Sequence, residues 1–298
     1  MAQIIIDKEL VVDTGNEVLK GIKRKNNYQV KCLPMLKWAG GKRRLLKHLI
    51  PLIPNSYGRY FEPFFGGGAF FFATQPQNAI LSDTNQELIE CYHYVKNSPQ
   101  DVIKLLSCME NTKENYFKVR DNILSSGLER AARTIYLTML SFNGIYRLNL
   151  KGQFNVPYGH KDHLDPCDEE KIMAVSKALK NAELNCCDFS ESVINAREND
   201  LVYFDPPYAI SQGNGFVKYN SKVFTWQDQI RLSNTARELV ARGCKVIISN
   251  ADVPEIRELY NDFNCNVLER PSVIAASGEH RKKITECIFY NGGENDVN

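Results

Sequence analysis

Leu201-Val202-Tyr203-Phe204-Asp205-Pro206-Pro207-Tyr208 is the stretch that decides the fold of this chain. Leu201–Phe204 is a short apolar run bounded by turn residues, the pattern of a strand buried on both faces. Two prolines cannot extend a ladder, because each lacks an N–H and fixes φ. The chain must leave the sheet where it presents a carboxylate and a phenol ring. In open α/β sheets, ligands bind beyond the carboxyl ends of the strands. An acceptor beside a planar aromatic, on a turn stiffened by prolines, suits a flat heterocycle bearing an amino group. Taken alone, the stretch also reads as an ordinary strand exit with a capping aspartate.

Working outward, Arg59-Tyr60-Phe61-Glu62-Pro63-Phe64-Phe65 reads as a strand, followed by Gly66-Gly67-Gly68 and the apolar run Ala69 to Ala73. Glycines at a strand-to-helix turn let backbone N–H groups approach an anionic ligand. The spacing is not G-x-G-x-x-G, which disfavours a nicotinamide cofactor. Ala79-Ile80-Leu81-Ser82 forms a further strand ending in Asp83, the place where nucleotide-binding folds grip ribose hydroxyls.

These motifs resemble, in order, those of the Dam-type DNA adenine-N6 methyltransferases, including the companion methylases of GATC restriction systems. Lys37-Trp38-Ala39-Gly40-Gly41-Lys42 is similar to the opening cofactor motif, and Glu62-Pro63-Phe64-Phe65-Gly66-Gly67-Gly68 to the glycine motif. Asn143-Gly144-Ile145-Tyr146-Arg147 and Phe154-Asn155-Val156-Pro157-Tyr158-Gly159 resemble the DNA-reading segment, Asp205 to Tyr208 the catalytic motif, and Arg281-Lys282-Lys283 a further family element. The resemblance spans roughly residues 33 to 290. It implies a Rossmann-like α/β fold dependent on S-adenosyl-L-methionine, with a mixed, mostly parallel seven-stranded sheet and an inserted, mainly helical DNA-recognition domain.

The chemistry follows from the residues. Adenine N6 is a poor nucleophile because its lone pair is delocalised into the ring. Hydrogen bonds from its two N–H groups to Asp205 and the Pro206 carbonyl would localise that pair for attack on the methyl of a sulfonium. Catalysis then rests on orientation and electrostatics. A base inside a duplex must be flipped out to reach such a site, and Tyr208 is the candidate stacking platform. By resemblance, Trp38 and Lys42 hold the methionine end of the donor, with Lys42 as carboxylate partner. Phe65 and Gly66 to Gly68 line the glycine motif, Asp83 takes the ribose, Asp188 and Phe189 frame the donor's adenine, and Asp205 also faces the donor. An unpaired loop aspartate beside a core phenylalanine remains the other reading of Asp188-Phe189.

For DNA reading, Arg147 is the sharpest candidate, since Arg paired with guanine O6 and N7 is the commonest specific major-groove contact. Gripping only phosphate is its alternative. Phe142 or Tyr146 would wedge into the vacated stack, with Asn143 facing the orphaned thymine. Ile145 would contact a thymine methyl and Pro157 would shape another base contact. Asn149, Lys161, Arg281 and Lys282 complete the expected DNA-binding set. After Gly159 many relatives carry Arg-Tyr, whereas this chain has His160-Lys161-Asp162-His163; GATC is thus an expectation carried by resemblance.

The 298 residues, 43% hydrophobic and 24% charged, describe an ordinary globular chain. No signal peptide or membrane anchor is indicated, and a cytoplasmic, nucleoid-associated location is expected. Nine cysteines without a C-x-x-C pair suggest reduced thiols and no zinc. Pro166-Cys167 precedes the acidic Asp168-Glu169-Glu170, which disfavours a nucleophilic thiolate, and His160, Asp162, His163 and Asp165 read as a polar surface turn. The net charge of +2 hides an asymmetry. From Val18 to Phe61 there is no acid but eleven bases: Lys20, Lys23, Arg24, Lys25, Lys31, Lys37, Lys42, Arg43, Arg44, Lys47 and Arg59. Part of this stretch is expected to contact phosphates, against a merely solvated basic face.

The pattern predicts strands at Tyr60–Phe64, Ala79–Asp83, Glu183–Cys187, Leu201–Asp205, Lys245–Asn250, Cys265–Arg270 and Ile284–Tyr290. Helices are predicted at Gln86–Lys96, Pro99–Glu110, Glu114–Leu124, Glu129–Leu140, Gln229–Arg242 and Pro254–Asn261. The expected organisation is an N-terminal extension over 1–32, a catalytic domain over 33–85 and 168–298, and a target-recognition domain over 86–167 with a DNA-reading hairpin loop near 141–163. Expected partners are duplex DNA, with no membrane, and a restriction endonuclease as functional companion to a monomeric enzyme. Rival readings are an amino-methyltransferase acting on cytosine N4 or an RNA base, and a DNA-binding regulator without turnover.

Overall fold

The computed structural model describes residues 32–38, 40–122, 124–149, 151–208, 211–212, 216–217, 224–271 and 283–292. Arg281, Lys282 and the basic residues Lys20, Lys23, Arg24, Lys25 and Lys31 lie outside these described residues. Strands are β1 Tyr60–Glu62, β2 Ala79–Asp83, β3 Glu183–Cys186, β4 Leu201–Phe204, β5 Ser211–Gln212, β6 Phe216–Val217, β7 Lys245–Ala251, β8 Asn264–Pro271 and β9 Lys283–Tyr290. Seven of them form one sheet in the order β3-β2-β1-β4-β7-β9-β8, while β5 and β6 form a small separate ladder. The pairs from β3 to β7 are all parallel, and β9 is antiparallel to both β7 and β8. This is the mixed, mostly parallel α/β sheet expected from the sequence.

The strands end where their chemistry dictates. β1 stops at Glu62 because Pro63 cannot donate to a ladder, and β4 stops at Phe204 ahead of Pro206 and Pro207. Side chains alternate between the two sheet faces, and the core divides accordingly. Tyr60, Tyr203, Ile247 and Ile288 face one apolar cluster, and Phe61, Val202, Phe204, Val246, Ile248 and Phe289 face the other.

Helices cover both faces: α1 Leu46–Leu49, α2 Ala69–Thr74, α3 Gln86–Asn97, α4 Pro99–Ser107, α5 Lys113–Asp121, α6 Gly127–Leu140, α7 Glu169–Leu179, α8 Phe189–Ser192, α9 Trp226–Ala241 and α10 Pro254–Leu259. α3 to α7 lie between β2 and β3. α3 packs on β2 and β3 as well as on α6 and α7, so the helical insert shares a continuous apolar core with the sheet. The sequence reading did not include α7. Its signal is the acidic run, because Asp168 caps the helix by accepting from the Lys171 N–H, with Glu169 and Glu170 in the first turn. α9 likewise begins three residues earlier than expected, at a Thr225–Asp228 capping box. Among the described residues no helix is long and apolar enough to cross a membrane.

Candidate active site

Strand order reverses between β1 and β4, the switch point at which open α/β sheets bind ligands. The glycine turn after β1, Asp83 at the end of β2 and the Asp205 turn after β4 all open at this end of the sheet. Lys42 joins them. Its ammonium, on a residue only 8% exposed, lies 2.9 Å from Asp205 Oδ1, donates to the Gly40 carbonyl at 2.7 Å, and sits 4.3 Å above the centre of the Tyr208 ring. A cation thus spans the acceptor and the aromatic face that the sequence assigns to a base amine.

Enclosure pushes the Asp205 carboxyl up, Lys42 pulls it back and Glu286 adds to the rise, leaving it at about 6. Glu62 lies buried below, taking the Tyr60 hydroxyl at 2.6 Å. Burial holds it at about 8 despite the Tyr60 hydrogen bond, with Asp205 adding to the rise, so it is mainly neutral at pH 7. The turn is fixed from behind: the buried Gln229 side chain donates to the Pro207 carbonyl at 3.2 Å and accepts from Asn250 Nδ2 at 3.0 Å.

Asp83 is enclosed, with a carboxyl raised by burial although the Asn85 and Gly66 N–H groups, at 2.9 and 3.0 Å, pull it down. It thereby ties the glycine turn to the start of α3. Gly66 and Gly68 have φ of +48° and +64°. A Cβ at Gly66 would stand 2.9 Å from Trp38 Cδ1, and one at Gly68 would stand 2.5 Å from the Phe65 ring. Packing within the turn therefore already demands glycine at both places.

Asp188 caps α8 in a capping box with Glu191 and forms a two-pronged pair with Arg231 at 2.5 and 2.9 Å. Partial burial pushes its carboxyl up, but Arg231 and Ser190 outweigh this and hold it at about 2. The buried Phe189 ring stacks on Phe64 at 5.4 Å and lies under the Arg231 guanidinium at 4.2 Å.

Ser141 to Tyr158 form a hairpin, bridged at Ser141–Tyr158 and Leu148–Phe154 and closed by the Phe142 N–H on the Pro157 carbonyl at 2.9 Å. Asn143 and Gly144 both adopt left-handed φ, +55° and +66°, and the turn throws Phe142 outward to 51% exposure beside exposed Ile145 and Leu148. Arg147 is exposed, its guanidinium steered by the Asn155 side chain at 2.8 Å. Lys37, Arg43, Arg44 and Lys47 are exposed in the segment that leads to the site, and the Lys37 side chain abuts Gly144 at the root of the hairpin.

Residues 38–274 match the family described as D12 class N6 adenine-specific DNA methyltransferase. The chain belongs to this family. It is 41% identical over 276 residues to the Type II methyltransferase M1.LlaDCHI of Lactococcus lactis subsp. cremoris, covering 89% of this chain and 97% of that one. It is 36% identical to the Type II methyltransferase M.MjaIII of Methanocaldococcus jannaschii, covering 87% and 98%. Against the DNA adenine methylase of Escherichia coli it is 34% identical, covering 85% and 93%. The methyltransferase thus acts on adenine N6 in DNA, which removes support from the cytosine, RNA and regulator readings.

The family implies S-adenosyl-L-methionine as the methyl donor, and the residues present fit it. A buried ammonium suits a carboxylate, an enclosed carboxylate ending β2 suits a ribose diol, and Asp205 with Glu286 nearby suits a positive sulfonium.

Several expected residues of the methyltransferase have other uses. Tyr146 does not project as a wedge; its ring stacks on Trp38 at 4.8 Å and its hydroxyl donates to Glu87 at 2.8 Å, because the neighbouring left-handed turn directs it inward. Lys161 donates to the Met139 and Ser141 carbonyls, both at 2.7 Å, closing the end of α6. Asn149 shapes the hairpin turn by accepting from the Lys151 and Gln153 N–H groups. Phe65 is core. Phe189 is buried, with its ring stacked on Phe64 and beneath the Arg231 guanidinium. Arg59 leaves the basic surface to pair with buried Asp200 at 2.8 Å. Cys167 is held above its usual range by burial and by Asp165, Glu169 and Asp168, and Asp162 serves the Tyr158 hydroxyl at 2.8 Å.

The sequence reading missed Glu62, Gln229, Asn250 and Arg231. Only Arg231 carried a readable hint, lying three residues past the capping acid Asp228 on α9.

Proposed function

We propose that this methyltransferase moves the methyl group of S-adenosyl-L-methionine to N6 of an adenine flipped out of duplex DNA, within GATC, as the protective partner of a restriction endonuclease. The observation that carries the reading is the Asp205 carboxylate, held at the switch point on a proline-stiffened turn, with the Lys42 ammonium against it and that ammonium lying over the Tyr208 ring. Asp205 and the Pro206 carbonyl accept hydrogen bonds from the two N6–H groups and localise the amine lone pair, and Tyr208 stacks on the base. The donor supplies an electrophilic methyl on a positively charged sulfur. Lys42 then pairs with the donor's carboxylate, Trp38 packs its methionine end, Asp83 takes the ribose, and Asp188 takes the adenine amine.

The DNA face is the exposed hairpin. Phe142 fills the gap left by the flipped base, Asn143 faces the unpaired thymine, Ile145 meets a thymine methyl, and Arg147 reads a guanine. Pro157 holds the hairpin root. The restriction role is supported by the two similar proteins named Type II methyltransferases, and GATC by the hairpin sequence.

The test is incubation of the protein with tritiated donor and plasmid DNA, followed by cleavage with enzymes that sense adenine methylation at GATC. Label in DNA with GATC protection is expected. Label in DNA without GATC protection would sink the site assignment, and label in RNA alone would sink the reading as a whole. Asp205→Ala is expected to bind donor in calorimetry and to lose transfer.

A further inference from the structure

Six residues close a ring of contacts between the donor side and the DNA-reading side of this molecule. Asp83 holds the Gly66 and Asn85 N–H groups. Trp38 lies so tightly on the glycine turn that a Cβ at Gly66 would strike it at 2.9 Å. Tyr146 also stacks on Trp38, ring centres 4.8 Å apart and planes inclined by 26°. The Tyr146 hydroxyl reaches Glu87 at 2.8 Å in the first turn of α3, the helix that Asn85 caps. Beside the stack, a Cβ at Gly144 would meet Lys37 Cβ at 2.6 Å, so the hairpin root rests on the same segment. Phe142, Ile145 and Arg147 surround Tyr146 in sequence and are exposed, whereas Tyr146 is the inward anchor between them.

We propose that Tyr146 is a positioning residue: by stacking on Trp38 it couples occupancy of the donor site to the placement of Phe142, Ile145 and Arg147 on DNA. This rests on the reading that Trp38, the glycine turn and Asp83 hold the donor. A group seated against Trp38 shifts or stiffens its ring, and the stack passes that change to the residue preceding Arg147. Coupling of this kind is a free energy shared by two sites, so it acts equally in both directions. It also requires that each ligand distinguish two arrangements of the shared element, and a stacked ring pair bracketed by two glycines in left-handed conformation provides such an element.

The experiment uses the full chain, a fluorescent GATC duplex, and sinefungin as an unreactive donor analogue. Duplex affinity is titrated with and without saturating sinefungin, and sinefungin affinity with and without duplex. For the wild type both ratios are expected to agree and to fall in the range of about 5- to 150-fold. Tyr146→Leu is expected to bring the ratio below about 2-fold, whatever its effect on sinefungin binding alone. Tyr146→Phe keeps the ring but loses the Glu87 anchor, and is expected to fall between the two. A wild-type ratio of one, or an unchanged ratio in Tyr146→Leu, overturns the proposal. If Tyr146→Leu does not fold, Tyr146→Met, which also removes the ring, decides, and an undiminished ratio there overturns it. A wild type that binds neither sinefungin nor duplex instead overturns the donor-site reading beneath it.

Discussion

Asp205 sits among charges that pull its proton in opposite directions. Enclosure raises its carboxyl, Lys42 opposes the rise and Glu286 adds to it, leaving it at about 6; Glu62, mainly neutral at pH 7, adds little until it ionises. Only the ionised form accepts both the N6 hydrogen bond and positive charge without competition from its own proton. Single-turnover transfer is therefore expected to fall as pH drops through about 6, with donor binding measured in parallel. A rate flat from pH 5 to pH 8 would rule out Asp205 as the ionised acceptor. Glu62 gives a stability test of opposite logic. Its carboxyl is raised from 4.5 to about 8, so between these values the folded chain keeps a proton that the unfolded chain has released. Stability contributed by that proton is complete below pH 4.5 and is lost as pH rises toward 8. Glu62→Gln still accepts from Tyr60 but cannot ionise. Its melting temperature is expected to match wild type near pH 4 and exceed it by several degrees at pH 8, on the order of a few kcal/mol. A difference that does not vary with pH would show that Glu62 does not titrate in this range.

Elements hold the chemistry by parts far from it in sequence. The Asp205 turn leaves β4 without ladder bonds, and Gln229 of α9 and Asn250 of β7 hold it in place. Gln229→Leu is close in size but leaves the Pro207 carbonyl and the Asn250 amide without this partner, at a cost of about 1–3 kcal/mol for a buried polar group. Misplacing reacting groups by about 1 Å can cost on the order of 100-fold. The expected result is a loss of transfer of about 10- to 100-fold with little change in donor affinity, and a variant within twofold of wild type in rate would show that the turn holds itself. In the hairpin, Arg147 is aimed by the Asn155 side chain, with no acidic partner among the described residues, and the proposed base contact draws on that charge. Arg147→Ala is expected to relax preference at one base pair by about 1–3 kcal/mol, read from transfer on single-substituted sites. Uniform weakening on every sequence would mean that it grips phosphate.

Across the whole molecule, what the sequence disclosed was what depends on local pattern. The sheet strands were legible because apolar runs such as Leu201–Phe204 meet residues that cannot continue a ladder, and Lys42, Asp83 and Asp205 were legible because motifs carry them. Residues whose role depends on long-range packing were not. Nothing local to Gln229 says that it meets Pro207, and nothing local to Tyr146 says that it turns in to Trp38 while its neighbours face out. The basic run was legible only in part for the same reason, since Arg59 proves to be paired with Asp200. Lys37, Arg43, Arg44 and Lys47 remain exposed, in a chain whose net charge is only +2. If they form a phosphate-binding face, each contact releases condensed counterions, and the slope of log K against log salt carries about −0.9 per contact. Replacing them singly by Gln is then expected to reduce the slope by about 0.9 for each true contact while leaving donor affinity and base preference in place. Four slopes equal to wild type would make this a solvated face, and the hairpin would then have to carry DNA binding without it.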